Sequence, residues 1–296
     1  MPRPVHIVDV FAHEPYAGNP LAVVLDADGL SADAMQRIAA EMNFSETTFV
    51  GNAPGGDGGW PVRIYTPARE IAFAGHPILG TAWVVRHAGG PRVADAGVVR
   101  LDLAVGPVPV SFEGDGRGDD TAWFVAPPVE GGPVASRASM AAALGLSVES
   151  LDGRLPVRRY SAGTSAVVVP LRDRAALERA RLDLGAYAAL AAQGFPPLTY
   201  LWCREPRDPR NDLVVRFFFE AHGVREDPAT GNGAAFLGHY LLDHDLAPAA
   251  GFDLRIEQGR EVRRPSIVRL RGAVSGGARR IEVGGRVVPT VRGELM

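Results

Sequence analysis

The amino-acid sequence predicts an α+β protein of two pseudo-symmetric domains, each a mostly antiparallel sheet rolled around one central helix. The first observation is a segment, residues 235–242, that is apolar on almost every face and follows the small, turn-forming residues 226–234. An earlier segment repeats this arrangement, with residues 81–87 behind 72–80. A helix that is apolar all round belongs inside a domain. The strand-like segments that follow residues 235–242, between residues 254 and 288, are joined by short connections, which favour antiparallel pairing over βαβ crossovers.

The elements of the N-terminal half follow from local patterns. Ser31 is a suitable N-cap for an amphipathic helix that ends near Met42. Glycines and a proline in residues 51–59 predict an exposed hairpin connection, and the polar residues 114–120 predict another hairpin tip. Alternating or continuous apolar residues predict strands at 6–10, 21–25, 62–65, 98–103, 108–112 and 121–125, and residues 43–50 are expected to be a turn that enters a strand.

The domain boundary is predicted in residues 126–133, which have the composition of a linker. The two domains are therefore 1–127 and 128–296, to within about ten residues, and the last strand is free to return to the first domain. The second half contains predicted helices at 138–144, 175–180 and 184–192, before the central helix. Its predicted strands are 158–161, 166–169, 199–202, 213–219, 254–258, 267–270, 281–283 and 286–288.

Composition excludes several classes of protein. The 296 residues are 46% hydrophobic and 22% charged, which is typical of an ordinary soluble globular protein with room for two cores. The net charge of −3 gives no nucleic-acid footprint, and no apolar run approaches the roughly 20 residues that span a bilayer. The N-terminal residues enter a strand pattern directly, so we expect no signal peptide. A single cysteine, Cys203, fits a reducing cytoplasm and excludes a mechanism that uses two thiols of one chain.

Glu46 is the first candidate for chemistry. It lies between Ser45 and Thr47, in a segment that the flanking Phe44 and Phe49 direct to the interior. Partial burial would raise the pKa of its carboxyl group and make it a better base near neutral pH. A capping or surface role at the start of a strand remains an alternative for this glutamate.

Two further polar side chains stand where the central helices begin. His76 precedes Pro77, a residue suited to the first helical position, so its side chain is expected at the helix mouth. Asp227 precedes Pro228 and is expected at the rim of the second helix start. Structural roles, an Asx turn for Asp227 above all, remain open for both. Gly75, Gly231 and Gly233 either permit turns or allow a ligand to approach the backbone, and unpaired amides of a first helical turn bind anions such as a carboxylate.

Other motifs give no support for metal, dinucleotide or thiol chemistry. No metal-ligand spacing, complete dinucleotide fingerprint or P-loop occurs, so we expect neither metal nor cofactor. Cys203 lies in a strand pattern and is expected to be a buried small hydrophobe. Four arginines could face an anionic substrate or simply be solvated: Arg63, Arg69, Arg216 and Arg225.

The motifs together resemble those of the phenazine-biosynthesis PhzF-like proteins, which have the diaminopimelate epimerase-like fold. The resemblance covers essentially the whole chain. It rests on Gly18-Asn19-Pro20 and Asn43-Phe44-Ser45-Glu46 in the first half, and on Ala74-Gly75-His76-Pro77 at the first helix. In the second half it rests on Glu226-Asp227-Pro228 with Gly231-Asn232-Gly233, and on Gln258-Gly259 and Arg264-Pro265-Ser266.

This resemblance implies an active site between the two halves and catalysis without a cofactor. Glu46 corresponds to the family's general base and acid, and His76 and Asp227 correspond to its substrate-contacting residues. Asn19, Gly75, Gly231, Asn232 and Gly233 correspond to substrate-binding positions. Ala74 and Thr230 occupy the positions of the two epimerase cysteines, so the two-thiol relay is absent. Asn232 replaces a serine that is common in the phenazine enzymes.

The sequence therefore predicts a cytoplasmic, cofactor-independent isomerase that moves a proton between carbons of a small carboxylate substrate. Trans-2,3-dihydro-3-hydroxyanthranilate isomerisation is the activity that the resemblance implies, together with a homodimeric state. Two alternatives remain: an epimerase or racemase of an amino-acid-like substrate that uses no thiols, and a non-catalytic protein that binds small carboxylates. Neither nucleic acid nor membrane is an expected partner.

Overall fold

The computed structural model describes residues 2–56, 58–88, 96–114, 120–218 and 226–296, and these form a mixed α/β structure. Contacts divide the chain into two compact units. The first consists of Met1–Val125 with Gly284–Met296, and the second of Ala126–Val283. The second unit therefore lacks residues 284–296 of the predicted domain 128–296. Residues 284–295 lie in the last strand of the chain. No helix in the described ranges is long and apolar enough to cross a membrane.

The first unit contains eight strands, two helices and the end of the last strand within the described residues. Strand β1 pairs antiparallel with β2 and with β17 (Ala278–Leu295). The helices are α1 (Ala32–Met42) and α2 (Gly75–Ala88). The strands are β1 (Arg3–Val10), β2 (Asn19–Val24), β3 (Thr47–Val50), β4 (Trp60–Tyr65), β5 (Glu70–Ile71), β6 (Val98–Leu103), β7 (Gly106–Glu113) and β8 (Thr121–Val125).

Helix α2 is the buried element of the first unit. All its residues from Gly75 to Arg86 are buried, as the all-round apolar sequence predicts. A Cβ atom on Gly80 would lie 2.6 Å from Leu21 Cδ2, so only glycine allows the helix to approach β2 this closely. The Thr81 hydroxyl lies 2.8 Å from the Thr48 hydroxyl, a buried hydrogen bond that fixes α2 to β3.

The second unit places α6 (Gly231–Asp243) in a similar setting. Of its residues only Asn232 and Asp243 are not buried. The other helices, α3 (Arg137–Ala143), α4 (Arg174–Arg179) and α5 (Leu184–Ala191), pack on a separate apolar cluster of the sheet. The strands are β9 (Glu130–Ala135), β10 (Val157–Ala162), β11 (Thr164–Pro170), β12 (Thr199–Cys203), β13 (Leu213–Phe218), β14 (Glu226–Asp227), β15 (Phe252–Gln258), β16 (Ser266–Ser275) and the start of β17.

Four pairs of strands among the described residues are parallel, which the sequence did not predict, whereas β15 and β16 pair antiparallel as their short connection predicts. Strands β2 and β3 are parallel across α1, and β4 and β6 are parallel across α2. Likewise β11 and β12 are parallel across α4 and α5, and β13 and β15 across α6. A connection that contains a helix is long enough to return the chain to the same end of the sheet, so a parallel partner becomes possible. Both central helices are therefore crossover helices.

Two smaller predictions also need correction. The predicted linker 126–133 overlaps β9, which begins at Glu130 and pairs antiparallel with β10. The predicted strands 281–283 and 286–288 are parts of the single strand β17, because Gly284 and Gly285 continue the strand instead of turning. Residues 115–119, within the predicted hairpin tip, and Phe219, at the end of a predicted strand, lie outside the described residues.

Candidate functional site

Glu46, His76 and Asn19 form one buried cluster in the first unit. Glu46 directly precedes β3, Asn19 begins β2, and His76 is the second residue of α2. Glu46 is 8% exposed, His76 is 5% exposed and Asn19 is fully buried. The His76 Nε2 atom lies 3.4 Å from Glu46 Oε2, and the Asn19 side-chain nitrogen lies 3.3 Å from His76 Nδ1. The structure thus brings together the carboxyl, imidazole and amide groups that the sequence places 57 residues apart at most.

The imidazole of His76 is neutral in this cluster. Burial lowers the pKa of His76 to about 3, although a hydrogen bond to the Pro20 backbone by itself raises this pKa. A neutral imidazole donates a hydrogen bond from one ring nitrogen and accepts at the other. His76 can therefore orient a substrate or the Glu46 carboxyl group by hydrogen bonding at neutral pH, without carrying a charge there.

The start of α2 differs from the prediction by two residues. The helix begins at Gly75, so Pro77 is its third residue and not its first. The proline still lies in the first turn, where a missing N–H leaves no intrahelical hydrogen bond unmade. The amides of Gly75 and His76 belong to the same turn, and the helix dipole adds positive potential there. Glu46 thus approaches the end of α2 that favours anions.

Asp227 is held by a small hydrogen-bond network in the second unit. The Thr230 hydroxyl donates to Asp227 Oδ2. The Gln258 side chain donates to the Thr230 hydroxyl at 3.0 Å and to the Asp227 carbonyl at 2.9 Å, and it accepts from the Thr230 amide at 3.1 Å. All three residues are buried. The carboxylate of Asp227 is therefore positioned by Thr230, the N-cap residue of α6, and Thr230 is held in turn by Gln258 at the end of β15.

The first turn of α6 contains the glycine motif. The helix begins at Gly231, with Thr230 in the N-cap position, and the Thr230 side chain makes no capping hydrogen bond because it is bound to Asp227. Gly231 and Gly233 are buried, while Asn232 is half-buried and turned outwards enough to meet a ligand. An uncapped first turn with amide donors is a general site for anions.

Tyr200 is a neighbour of this turn that sequence reasoning missed. Its ring lies only 2.4 Å from the position that a Cβ atom on Gly233 would take. Tyr200 pairs with Phe217 across β12 and β13, and Phe217 pairs with Asp227 across β13 and β14, so the three residues form one row of the sheet. Burial, and next the charge of Asp227, raise the pKa of the Tyr200 phenol. The only sequence signal for this contact is Gly233, whose partner cannot be read from the sequence.

The remaining candidates have structural partners. Arg63 forms a two-fold ion pair with Glu70 at 2.7 Å, and the buried Arg216 binds Glu226 at 3.0 and 2.7 Å. Cys203 is buried, and burial raises the pKa of its thiol to about 11, as expected for an unreactive side chain. Arg225 lies outside the described residues. Among the residues that are described, no group of three or more His, Cys, Asp or Glu side chains could hold a metal ion.

The geometry defines an enzyme-like site in which a buried carboxyl group lies beside a neutral imidazole and the start of a buried helix. The sequence profile of the phenazine biosynthesis-like protein family (PhzC-PhzF) matches residues 8–293. The chain belongs to this family.

Named relatives and solved structures agree with that membership. An uncharacterized isomerase of Mesorhizobium japonicum is 37% identical over 300 residues, which cover 98% of this chain and 97% of the relative. The trans-2,3-dihydro-3-hydroxyanthranilate isomerase of Pseudomonas aeruginosa is 38% identical over 272 residues, covering 91% of this chain and 90% of that protein. A PhzF-family crystal structure from Bacillus anthracis is similar with a TM-score of 0.89 and 26% identity, over 100% of this chain and 99% of the other. The chain is an isomerase of the PhzF family.

The fold extends to more distant enzymes. A solved structure of a probable proline racemase from Agrobacterium radiobacter is similar with a TM-score of 0.63 and 13% identity, over 99% of this chain and 93% of that chain. At this identity the similarity establishes the fold alone. The recognition of a PhzF-like protein with an epimerase-type fold is thereby confirmed.

Proposed function

We propose that this isomerase moves a proton between two carbons of a small cyclic carboxylate, without a cofactor, and that Glu46 is the general base and then the general acid. The observation that carries the proposal is the placement of the buried Glu46 carboxyl group 3.4 Å from the neutral imidazole of His76, at the start of α2. The name of the Pseudomonas aeruginosa relative gives the candidate substrate, trans-2,3-dihydro-3-hydroxyanthranilate.

The proposed step is a proton transfer in two stages. The Glu46 carboxylate takes a proton from an acidic C–H bond, and the electron pair of that bond moves into the conjugated system that ends at the substrate carboxyl group. The neutral acid then returns a proton to a different carbon, so that atoms and charge balance and the substrate is isomerised. A carboxyl group that is 8% exposed is shielded from exchange with bulk water during this sequence.

The developing negative charge needs hydrogen-bond donors that are already in place. The first turns of α2 and α6 supply backbone amides, at Gly75 and at Gly231 to Gly233. His76 adds a hydrogen bond from an uncharged ring, which leaves the basicity of Glu46 undiminished by a nearby cation. These groups are proposed to bind the substrate carboxylate and its enolate-like intermediate.

Asp227 is proposed to bind a hydroxyl or amino group of the substrate. The hydroxyl of Thr230 and the side chain of Gln258 hold Asp227 from one side, and the network leaves Thr230 unable to cap α6. Asn19 and Asn232 are proposed as further substrate contacts.

Sedimentation velocity tests the homodimeric state that the sequence resemblance implies.

Glu46→Gln is the decisive variant, because glutamine keeps the shape of the side chain and cannot accept the proton. We expect the conversion of trans-2,3-dihydro-3-hydroxyanthranilate, followed by proton NMR, to fall by about 10²–10⁴-fold. Glu41→Gln on the exposed face of α1 is the matched control and should retain wild-type turnover. Equal rates for the Glu46 variant and the wild type, with both folded by circular dichroism, would show that Glu46 is not the base.

A second candidate function is the epimerisation of an amino-acid-like carboxylate, which the racemase-like fold favours. Ala74 and Thr230 occupy the positions of the two epimerase cysteines, so Glu46 would need a second acid such as Asp227. Product stereochemistry separates the two functions. Inversion at one carbon indicates epimerisation, and a shifted double bond indicates isomerisation.

A further inference from the structure

We infer that the second unit contains an additional binding site for a small aromatic carboxylate, separate from the proposed catalytic groups. The site is an open pocket of about 430 Å³ between the ends of β11 and β12 and Leu246, which follows α6. Ligand pockets for small molecules typically measure about 300–1,000 Å³. We call this site the arginine pocket, after the three side chains Arg154, Arg172 and Arg204 that line it.

The walls of the arginine pocket are fixed by backbone hydrogen bonds. The Asp152 amide donates to the Pro170 carbonyl at 3.0 Å, and the Leu171 amide donates to the Trp202 carbonyl at 2.9 Å. The Arg204 guanidinium donates to the Leu246 carbonyl at 3.0 Å, which connects the residue after β12 to the segment after α6. A pocket held in this way does not have to be ordered when a ligand binds, so little binding free energy is lost.

The charge inside the pocket is positive because one guanidinium has no acidic partner. Arg154 is bound by Asp152 at 3.1 and 2.9 Å, and Arg172 is bound by Asp173 at 2.9 Å. Arg204 instead lies 5.9 Å from the centre of the Trp202 ring, and among the described residues it forms no ion pair with a carboxylate. One guanidinium without an acidic partner is matched by a ligand with one negative charge, which favours a carboxylate over a phosphate dianion.

The floor of the pocket is apolar and aromatic. Trp202 is 2% exposed, and it meets the Tyr240 ring of α6 edge to face at 5.8 Å, which fixes the indole plane. Leu155, Leu171 and Leu246 complete the apolar lining. A flat ring on the ligand would pack against the partly exposed side chains of Leu155 and Leu246 while its carboxylate reaches Arg204. The ligand class is therefore an aromatic or similarly flat monocarboxylate.

The arginine pocket is distinct from the groups of the proposed function. Leu246 and Tyr240 belong to the C-terminal part of α6 and the residues after it, whereas Gly231 to Gly233 form its first turn. Neither Asp227 nor the glycine motif lines the pocket. Loss of binding here and loss of Glu46-dependent proton transfer are consequently separate outcomes.

Fluorine NMR of the full chain labelled with 5-fluorotryptophan tests the site, because the sequence has four tryptophans and Trp202→Phe identifies the resonance of Trp202. The probes are 1-naphthoate and its neutral analogue 1-naphthalenemethanol. We expect 1-naphthoate to shift the Trp202 resonance saturably with a Kd of about 1 mM or lower, and the alcohol to bind at least about tenfold more weakly.

Three variants give the proposal its controls. Arg204→Gln removes the unmatched charge from an exposed side chain and should raise the Kd for 1-naphthoate about tenfold. Arg154→Gln removes a guanidinium that Asp152 already neutralises and should change the Kd less than about threefold. Leu155→Trp should block binding by filling the pocket while leaving all three arginines. The inference is wrong if the Trp202 resonance does not respond to about 10 mM 1-naphthoate, if the alcohol binds equally well, or if Arg204→Gln binds like the wild type.

Discussion

Gly233 in the first turn of α6 is the position at which a single methyl group should disturb the second unit most directly. A Cβ atom on this residue would lie 2.4 Å from both Cδ2 and Cε2 of Tyr200. The Tyr200 ring is fully buried in the central part of its strand and packs on Phe217 at 5.7 Å, so it has no free direction in which to move. The variant Gly233→Ala must therefore shift either the ring or the start of the helix.

The size of the effect follows from two opposing contributions. Overpacking of a well-packed interior costs about 1–3 kcal/mol, and replacing a helical glycine by alanine contributes about 1 kcal/mol in the opposite direction. Gly233 has an ordinary helical conformation, so alanine adds no backbone strain. A contact as close as 2.4 Å belongs in the upper part of the overpacking range, about 2–3 kcal/mol, so the expected result is a net loss of about 1–2 kcal/mol in the free energy of unfolding. The thermal midpoint should fall by several degrees.

Gly238→Ala, in the same helix, is the matched control. There a Cβ atom would meet the methyl groups of Ile281 and Leu270 at 3.1–3.2 Å, which requires shifts of only a few tenths of an ångström. Its gain in helix propensity should offset that contact, and the stability should stay within about 0.5 kcal/mol of wild type.

A thermal scan of both variants by circular dichroism, repeated in a Tyr200→Leu background, tests the reasoning. The cost of Gly233→Ala should shrink by about 1 kcal/mol once the ring is removed, because the two changes act on one contact. The explanation fails if Gly233→Ala is as stable as Gly238→Ala, or if Tyr200→Leu leaves its cost unchanged.

Three further predictions concern charge and hydrogen bonding. Burial lowers the pKa of His76 to about 3, so between pH 6.5 and 3 the unfolded chain binds a proton at this residue and the folded chain does not. The thermal midpoint should therefore decrease as the pH is lowered from 6.5 to 3. His76→Gln should make this decrease smaller. Arg216→Met leaves Glu226 buried without its partner and should cost about 3–5 kcal/mol in urea unfolding, against about 0–1 kcal/mol for Arg63→Met at an exposed pair, and similar costs would contradict the assigned burial. Thr230→Val removes the hydrogen bond to Asp227 and should lower kcat/KM for the dihydroanthranilate about tenfold or more, whereas Thr230→Ser should stay near wild type; equal losses would point to packing.

The central helices could be predicted because their signal is local and redundant. Nearly every residue of α2 and α6 is apolar or small, so the prediction of burial does not depend on knowing which strands surround them. Strand direction is different, because the alternation of side chains is the same in a parallel and an antiparallel pair. The parallel pairs β4 with β6 and β13 with β15 were missed for this reason, although the helix between each pair was found.

For the candidate site, local motifs predict which residues are involved, but not the properties that depend on packing. Glu46, His76 and Asp227 could be proposed from motifs within a few residues of each, but no motif gives the distances that place Glu46, His76 and Asn19 in one cluster. The pKa of His76 was beyond prediction, because the burial that lowers it comes from packing around α2 and not from its neighbours in sequence.

The contacts of Thr230 show most directly where sequence reasoning ends. Serine or threonine before a helix normally predicts an N-cap, and the position of Thr230 before Gly231 fits that rule. The structure gives the hydroxyl to Asp227 and brings in Gln258, which is 28 residues away, as the second partner. Gln258 reaches Thr230 because β15 ends beside the start of α6. The apolar pattern of the sequence does not give the direction or the neighbours of that strand. The same long-range pairing that diverts Thr230 from capping leaves the first turn of α6 without a side-chain cap, which is the arrangement that the proposed carboxylate binding requires.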